Sequence, residues 1–192
     1  QVSFGTDVTK LPMVSLHVPA HNEPPDMVID TLRALLRLDY PSYEVICIDD
    51  NTDDERLWRP VKEWCARHGV KFEHLENWPG YKSGALNYAL RNMTDPGAGI
   101  IGVVDSDYQI EPGFLRRCVP PFADRWIGFV QAPQDYRGWR EAPYYRRLYY
   151  SYKYFFAVSQ PARNEHDGAI FAGTMGLIRR VALEQLGGWD EW

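Results

Sequence analysis

Two carboxylates separated by one small residue are the side chains of this sequence best suited to chemistry. An apolar run ends at Val104, and Asp105, Ser106 and Asp107 follow it directly. Side chains two residues apart on extended backbone point to the same side, so both carboxylates can address one hard cation. Such a cation, Mg²⁺ or Mn²⁺, would be bridged to a diphosphate, although a DxD sequence alone also occurs in solvated turns.

A second acidic cluster follows the apolar run at residues 45–48 and consists of Asp49, Asp50 and Asn51. Taken alone, it is also typical of a turn or a helix N-cap. Ligands of open α/β sheets bind outside the carboxyl ends of the strands, which is where both clusters would lie. Two acidic strand ends in one sheet therefore favour a binding site over two unrelated turns.

The third polar segment is a loop closed by two prolines, and its residues are Pro19, Ala20, His21, Asn22 and Glu23. Its backbone groups and its Asn and Glu side chains could hold a base and a ribose. His17 and His21 are four residues apart, which is a metal-ligand spacing on a helix. Here they straddle the end of a strand, so a two-histidine metal site is disfavoured.

The fourth segment is a glycine-containing loop at residues 80–87 that runs into a helix and carries Lys82 at its mouth. A helix N-terminus and a lysine both favour phosphate oxygens. The loop lacks the GxxxxGK[ST] order of a P-loop and the GxGxxG of dinucleotide-binding proteins. The loop therefore does not favour an ATPase or a dinucleotide-binding protein.

Short β-branched runs alternate with helix-period segments, which predicts an α/β domain with a mostly parallel, Rossmann-like sheet flanked by helices. Strands are predicted at residues 14–18, 44–48, 71–75, 100–104, 128–131 and 169–172. The first predicted helix carries Val28, Leu32, Leu35 and Leu36 on one face. A second helix is predicted at residues 55–68, ending at Gly69, and a third at residues 83–92 with Leu86, Ala89 and Leu90 on one stripe.

Composition predicts one globular domain, with residues 1–10 as a loose lead and residues 11–192 as the core. The chain has 192 residues, a net charge of −5 and 14% aromatic residues. The negative charge disfavours nucleic acid as a partner. Cys47, Cys65 and Cys118 have no zinc-type spacing and suit a reducing compartment. Neither a membrane helix nor a signal peptide is evident, so a soluble chain facing the cytosol is expected.

Six segments in this order resemble the family-2 glycosyltransferases of the GT-A fold: PAHNE, IDDNTDD, GYKSGALNYAL, VVDSD, FAGTMGLIRR and GGWDEW. Within that family, VQAPQDY and FAGT look like the processive, membrane-embedded β-glucan synthases related to cellulose synthase. A β-1,3-linked or cyclic β-glucan synthase is favoured over cellulose synthase itself. The resemblance implies a GT-A fold and inverting transfer from a UDP-sugar, with UDP-glucose favoured, to a growing β-glucan with Mg²⁺ or Mn²⁺.

The resemblance also implies roles for the donor-side residues. Ala20, His21 and Glu23 match the loop that packs on the nucleotide, and Asp50, with Asp49 behind it, matches the carboxylate that reads the uracil. Lys82 matches a basic residue of the donor pocket. Asp105 and Asp107 match the pair that engages the ribose and the metal-bound diphosphate. Their neighbours in the expected nucleotide-sugar site are Pro19, Asn22, Asn51 and Ser106.

On the acceptor side, Phe171, Ala172, Gly173 and Thr174 match the motif near the acceptor's reactive end. Processive members follow the Gly-Gly-x-Asp-Glu motif with a Thr-Glu-Asp triplet that holds the general base, and further on with a Gln-x-x-Arg-Trp motif. Neither follows Glu191 here, which suggests a core excised from a protein at the cytoplasmic face of the inner membrane. In smaller relatives Asp190 or Glu191 would stand near the base position.

Three alternatives to a β-glucan synthase stay open. They are a nucleotide-sugar-binding module without turnover, a non-processive family-2 enzyme with another acceptor, and a phosphatase of the haloacid dehalogenase type. The phosphatase needs its lysine after the DxD, whereas Lys82 precedes it. The aromatic segment at residues 144–158 is predicted to be a helix with Leu148, Tyr152 and Phe155 in the core; sugar stacking and membrane docking are the alternatives.

Overall fold

The computed structural model describes residues 11–136 and 138–191, so the predicted lead at residues 1–10 lies outside the described part. Six strands form one sheet. The strands are β1 (Met13–Ala20), β2 (Tyr43–Asp50), β3 (Lys71–Leu75), β4 (Ala98–Val103), β5 (Phe129–Gln131) and β6 (Gly176–Arg179). The helices are α1 (Pro25–Leu35), α2 (Glu55–His68), α3 (Tyr81–Asn92), α4 (Phe114–Cys118), α5 (Pro143–Tyr154), α6 (Gln160–Asn164) and α7 (Arg180–Gln185).

The sheet has the strand order β3-β2-β1-β4-β6-β5, and the first four of these strands are parallel. β6 runs antiparallel to both β4 and β5. β1 lies between β2 and β4, with Ala20 opposite Asp49 and His17 opposite Val103. The carboxyl ends of β1, β2 and β4 therefore meet at one edge of the sheet, and the predicted mostly parallel α/β fold is confirmed.

Alternation along the strands divides the core between the two faces of the sheet. On β2, Cys47 packs with α1 and α2, whereas Ile46 and Ile48 pack with Ala85 and Ala89 of α3. A parallel sheet covered by helices on both faces has strands that are apolar on both sides. The burial of β1 from Val14 to Ala20 follows from this arrangement.

Helix ends follow from local chemistry close to the predicted positions. The Asp54 side chain caps α2 by accepting a hydrogen bond from the Arg56 N–H at 3.0 Å. Gly69 ends the same helix in the left-handed conformation, with φ 71°, which glycine adopts without steric cost. On α1, Val28, Leu32 and Leu35 are buried as predicted, whereas Leu36 lies beyond the helix end and is exposed.

The strand predicted at residues 169–172 is wrong, because the strand at this position of the sheet is Gly176–Arg179. Residues 173 and 175 have positive φ values of 79° and 54°, which interrupt extended backbone before β6 begins. Gly176 also fits closely against the Phe171 ring, since a Cβ on Gly176 would lie 2.1 Å from that ring. Within the segment at residues 169–172, the Phe171 ring packs against Gly176 of β6, whereas Ile170 is exposed.

The aromatic segment forms α5, followed by a π-helical turn at Phe155–Ser159. The prediction that it packs in the core is wrong, because neither element has a buried residue. Leu148 and Phe155 are half-buried and Tyr152 is exposed. Within residues 11–136 and 138–191, no helix has the length and apolar character needed to cross a bilayer.

Candidate functional site

A cavity of about 290 Å³ opens where the carboxyl ends of β1, β2 and β4 meet, and we call it the donor cavity. Its lining residues come from four separate segments of the chain. They are Pro19, Ala20, His21, Glu23, Asp50, Lys82, Asp105, Ser106 and Asp107. The fold thus brings together most of the residues predicted for the donor site, from positions up to 88 residues apart. The roles predicted for them stay predictions.

Lys82 lies at the mouth of the donor cavity in the first turn of α3. Its ammonium group forms an ion pair with the Asp105 carboxylate and donates to the Gly173 carbonyl at 3.2 Å. Gly80 precedes α3 in the left-handed conformation, with φ 86°. The N-terminus of α3 and the Lys82 ammonium group therefore both favour an anion at this place.

The loop at residues 171–174 is attached to the DxD segment by its last residue. Thr174 is buried, and its hydroxyl accepts a hydrogen bond from the Asp105 N–H at 2.9 Å. Of the predicted acceptor residues, Gly173 and Thr174 therefore reach Lys82 and Asp105. Phe171 packs instead against Phe129 and Trp189, at ring distances of 5.9 and 5.6 Å.

Gln131 on β5 is a positioning residue that the sequence reasoning missed. Its side-chain oxygen accepts from the Ala172 N–H at 2.8 Å, and its side-chain nitrogen donates to the Thr174 carbonyl at 3.0 Å. One amide therefore holds both ends of the 172–174 loop against the DxD segment. The VQAPQDY motif contains this residue, but only the observed pairing of β5 with β6 assigns it to the loop.

The loop after β1 is fixed to the end of β2 by hydrogen bonds. The His21 ring donates from Nδ1 to the Asp50 carbonyl, and its Nε2 accepts from the Asn22 side chain at 2.8 Å. The Asn22 N–H donates to the Thr52 hydroxyl at 2.9 Å. Asn22 and Asn51 have positive φ values of 55° and 56°, a conformation that asparagine tolerates better than most residues. Both strands therefore end in sharp, fixed turns.

Asp50 is the buried carboxylate of the donor cavity. Burial raises its pKa, the nearby His21 ring lowers it, and the neighbouring Asp49 raises it further. The Asn51 side chain donates to Asp50 Oδ1 at 2.9 Å and to the Trp78 carbonyl at 2.8 Å. Asn51 thus connects the Asp50 carboxylate to the segment that leads into α3, without lining the cavity itself.

Asp49 points away from the donor cavity. Its carboxylate accepts from the Thr52 hydroxyl at 2.7 Å and from the His74 ring at 2.7 Å, and that ring stacks on Trp58 at 4.1 Å. A buried carboxylate with these partners is well suited to hold the turn after β2. The geometry therefore places Asp49 behind Asp50 as support, not in contact with a ligand in the cavity.

The metal prediction involves Asp105 and Asp107, which both line the donor cavity. In the part of the chain that the structure describes, no group of three His, Cys, Asp or Glu side chains could hold a metal ion. Mg²⁺ commonly binds through one or two carboxylates and takes its other ligands from substrate phosphates and water. The two aspartates fit a cation of that kind, whose other ligands would be phosphate oxygens and water.

The two carboxylates predicted as base candidates, Asp190 and Glu191, do not line the donor cavity. The Glu191 carboxylate accepts from the Asn87 side chain on α3, and a Cβ on Gly80 would lie 3.0 Å from Glu191 Oε2. Asn87 also accepts from the Trp189 N–H at 2.8 Å. The terminal motif is therefore bound along α3 and reaches its N-terminal end.

Comparison with known proteins connects this geometry to a family. The family model described as glycosyl transferase family 2 matches residues 15–187. A probable glucomannan 4-beta-mannosyltransferase 15 of Arabidopsis thaliana is 30% identical over 188 residues, covering 94% of this chain and 35% of that protein. Glucomannan 4-beta-mannosyltransferase 7 of the same plant is 29% identical and is covered to 34%. The chain thus spans about a third of the length of these curated relatives.

Solved structures agree with the fold. The mannosyltransferase PcManGT from Pyrobaculum calidifontis, in complex with GDP-Man and Mn²⁺, superimposes with a TM-score of 0.69 and 26% identity over 95% of this chain and 49% of that one. S. aureus TarS 1–349 in complex with UDP has a TM-score of 0.61 at 18% identity, over 93% of this chain and 50% of that one, and shows the fold alone. By the match across residues 15–187, the chain belongs to glycosyl transferase family 2.

Proposed function

We propose that this chain is the donor-binding core of an inverting glycosyltransferase that moves glucose from UDP-glucose to a growing β-glucan. The donor cavity carries the proposal, because it unites a buried carboxylate, a lysine and the DxD pair at one edge of the sheet. The likeness of VQAPQDY and FAGT to β-glucan synthases supports glucose as the sugar. That likeness extends the proposal to a membrane-embedded parent protein, with this domain at the cytoplasmic face of the plasma membrane.

In this proposal the acceptor hydroxyl attacks the anomeric carbon from the face opposite the diphosphate, so the glycosidic oxygen of the donor leaves with UDP. Negative charge then grows on the leaving diphosphate. Lys82 and the α3 N-terminus lie where they can stabilise that charge. Asp105 and Asp107 would hold Mg²⁺ or Mn²⁺, which supplies Lewis-acid stabilisation of the same oxygens when bound.

The remaining cavity residues would orient the nucleotide. Asp50, which lines the cavity, would accept a hydrogen bond from the N–H of the base, and the Pro19–Glu23 loop would pack beside the base and the ribose. The 172–174 loop sits beside Lys82 and Asp105, where an acceptor end must approach. The proton of the acceptor hydroxyl needs a carboxylate base, for which Glu191 and Asp190 are the proposed candidates.

A second candidate function is transfer of mannose from GDP-mannose, which the comparisons favour. The similar plant proteins are named as glucomannan mannosyltransferases, and the structure of PcManGT contains GDP-Man and Mn²⁺. A guanine ring also has N–H groups from which Asp50 could accept a hydrogen bond. Both candidates use the same cavity and differ in the base and the sugar.

Titration calorimetry with UDP, GDP, UDP-glucose and GDP-mannose tests the proposal and chooses between the candidates. With Mn²⁺ present, we expect UDP and UDP-glucose to bind more tightly than their guanosine counterparts, and EDTA to weaken binding strongly. Tighter binding of GDP-mannose would establish the second candidate. Equal affinity in EDTA and in Mn²⁺ would contradict the assigned roles of Asp105 and Asp107.

A further inference from the structure

Gln160 is a buried polar side chain that has no part in the proposed function. It follows the aromatic helix α5 and the π-helical turn at Phe155–Ser159, and neither of these elements has a buried residue. Gln160 is therefore the first buried residue after the start of α5. A buried amide side chain needs hydrogen-bond partners, so its contacts show which segment this part of the chain is attached to.

The π-helical turn sets the direction in which Gln160 points. The Gln160 N–H donates to the Phe155 carbonyl, which is five residues earlier in place of the four of an α-helix. Such a turn contains one residue more than an α-helical turn, so it rotates every later side chain around the helix axis. π-helical turns within α-helices are rare and often lie at functional sites. Gln160 thus points inwards although the residues of α5 before it are not buried.

Both polar atoms of the Gln160 amide bind the backbone of one residue, Ile170. Oε1 accepts from the Ile170 N–H at 3.0 Å, and Nε2 donates to the Ile170 carbonyl at 2.5 Å. The Ile170 side chain itself is exposed. These two hydrogen bonds, rather than side-chain packing, therefore fix the position of this residue.

The 172–174 loop begins two residues after this anchor. Gln131 binds both ends of that loop. Gly173 lies between the two ends with φ 79°, and its carbonyl accepts from the Lys82 ammonium group at 3.2 Å. A displaced loop would take this acceptor away, and the ammonium group would then move more freely in the donor cavity.

We propose that Gln160 is a positioning residue of the donor cavity, which anchors the 172–174 loop and thereby holds the Lys82 ammonium group in place for a nucleoside diphosphate. The inference rests on the proposed function and adds to it a residue that does not line the cavity. It also gives α5 and the π-helical turn a role, since they carry Gln160 to the loop.

Gln160→Met tests the proposal, because methionine is of similar length and makes neither hydrogen bond. Gln185→Met is the matched control, since Gln185 is exposed on α7. NMR titrations with UDP, GDP, uridine and guanosine in Mg²⁺ compare both variants with the wild type. Gln160→Met should weaken binding of the diphosphate by roughly threefold to tenfold, the cost of immobilising one flexible side chain. Gln185→Met should bind as the wild type does.

The nucleosides distinguish positioning of Lys82 from general damage to the cavity. Uridine and guanosine have no phosphate for Lys82 to contact, so Gln160→Met should bind them as the wild type does. Equal losses for the diphosphate and its nucleoside would overturn the inference.

A double-mutant cycle tests whether Gln160 acts through Lys82. In a Lys82→Met background, Gln160→Met should not weaken diphosphate binding further, because the group that it positions is absent. Additive losses in the two variants would overturn the inference.

Hydrogen exchange without nucleotide tests the anchor itself. In Gln160→Met, the N–H groups of Ala172 and Asp105, which bond the loop to its neighbours, should exchange at least about tenfold faster. The Asn51 N–H, which donates to the Leu75 carbonyl at 3.0 Å, should exchange at the wild-type rate. Unchanged exchange at Ala172 and Asp105, or equal acceleration at Asn51, would overturn the inference.

Three further outcomes are distinguishable. Should Gln160→Met fail to fold, Gln160→Glu takes its place, because it keeps the acceptor for the Ile170 N–H, loses the donor and should show the same pattern. If the wild type binds neither UDP nor GDP, the proposed function fails and the role of Gln160 in donor binding is overturned with it. If the wild type and Gln160→Met bind the diphosphate equally, the inference alone fails and the donor cavity stands.

Discussion

At the scale of single residues, the proposed function makes Asp50 the side chain on which donor recognition should depend most. Asp50 is buried and lines the donor cavity, and in the proposed function it accepts a hydrogen bond from an N–H of the base. Asp50→Ala should weaken UDP binding by about 1.5–3 kcal/mol, the range for a hydrogen bond to a charged group. Asp53→Ala is the matched control, because Asp53 is exposed three residues further on and does not line the donor cavity. Calorimetry showing equal losses in both variants would contradict the role of Asp50.

The ionised Asp50 carboxylate should lower the free energy of unfolding. Burial raises the pKa of Asp50 above its ordinary value of 3.8, so the folded chain holds this proton more tightly than the unfolded chain. Stability therefore falls as pH rises from 3.8 through the raised pKa, and the loss is complete above it. Asp50→Asn keeps an acceptor for the Asn51 side chain, so its melting temperature should exceed that of the wild type at pH 7 and converge with it below about pH 4. A variant that melts lower at pH 7 would contradict this account.

His17 on β1 should change stability with pH in the opposite direction to Asp50. It is fully buried, with Nε2 near the hydroxyls of Ser15 and Thr94, and burial together with Arg180 lowers its pKa to about 3. The folded chain keeps it neutral while the unfolded chain protonates it below about pH 6.5. Stability is therefore lost as pH falls from 6.5 towards 3.

Urea unfolding between pH 6 and pH 4 tests this contribution of His17. Relative to the wild type, His17→Gln should gain roughly 1.4 kcal/mol of stability for each pH unit of acidification. His166→Gln, at an exposed position after α6, is the control variant. A constant difference between His17→Gln and the wild type across this range would show that His17 does not titrate on unfolding.

At the scale of elements, the start of α3 should tolerate little change. A Cβ on Gly84 would lie 1.9 Å from the Pro79 carbonyl oxygen, so alanine must displace the segment that leads to Lys82. Gly84→Ala should destabilise the fold by about 1–3 kcal/mol, as overpacking does. It should also weaken the binding of UDP. Gly99→Ala on β4 meets nothing within 4 Å and should stay within about 0.5 kcal/mol of the wild type. Equal urea midpoints for the two variants would contradict the steric argument.

Elements with strong periodicity could be predicted from the sequence. The bounds of α2 are those predicted, because Asp54 and Gly69 are unambiguous end signals. The sixth strand could not be predicted in the same way. Residues 169–172 and 176–178 are both apolar, and only the pairing of β6 with β4 and β5 shows which of the two segments is the strand. The prediction that α5 packs in the core was wrong for a related reason, because apolar composition does not show which elements cover a helix.

The candidate donor site could likewise be predicted from the sequence only in part. Strand-end position was enough to bring Asp50, Asp105 and Asp107 to one edge, because parallel strands share their carboxyl ends. Strand-end position could not orient side chains: only the structure shows that the Asp49 carboxylate, expected behind Asp50, contacts Thr52 and His74. Contacts between distant segments, such as Gln131 with the 172–174 loop, have no local signal in the sequence.

At the scale of the whole molecule, the base candidates do not line the donor cavity, although Glu191 reaches the N-terminal end of α3 near Lys82. The donor cavity is lined from Pro19 to Asp107 and includes neither Asp190 nor Glu191. The Glu191 carboxylate is engaged by Asn87 and lies against Gly80. Loss of a positioned base commonly lowers a rate by about 10²–10⁴-fold.

We therefore predict that this chain binds donor and hydrolyses it slowly but does not elongate a glucan. Hydrolysis can survive because water needs no acceptor site, whereas elongation needs a base and an aligned sugar hydroxyl. The measurement incubates the chain with UDP-glucose, Mn²⁺ and a β-glucan hexamer and follows UDP release and oligosaccharide length separately. Lys82→Ala serves as the control, since it should remove the residual hydrolysis. Elongation at about 1–10³ per second, as is typical of enzymes, would show that Asp190 or Glu191 serves as the base and that the contact of Glu191 with Asn87 opens during turnover.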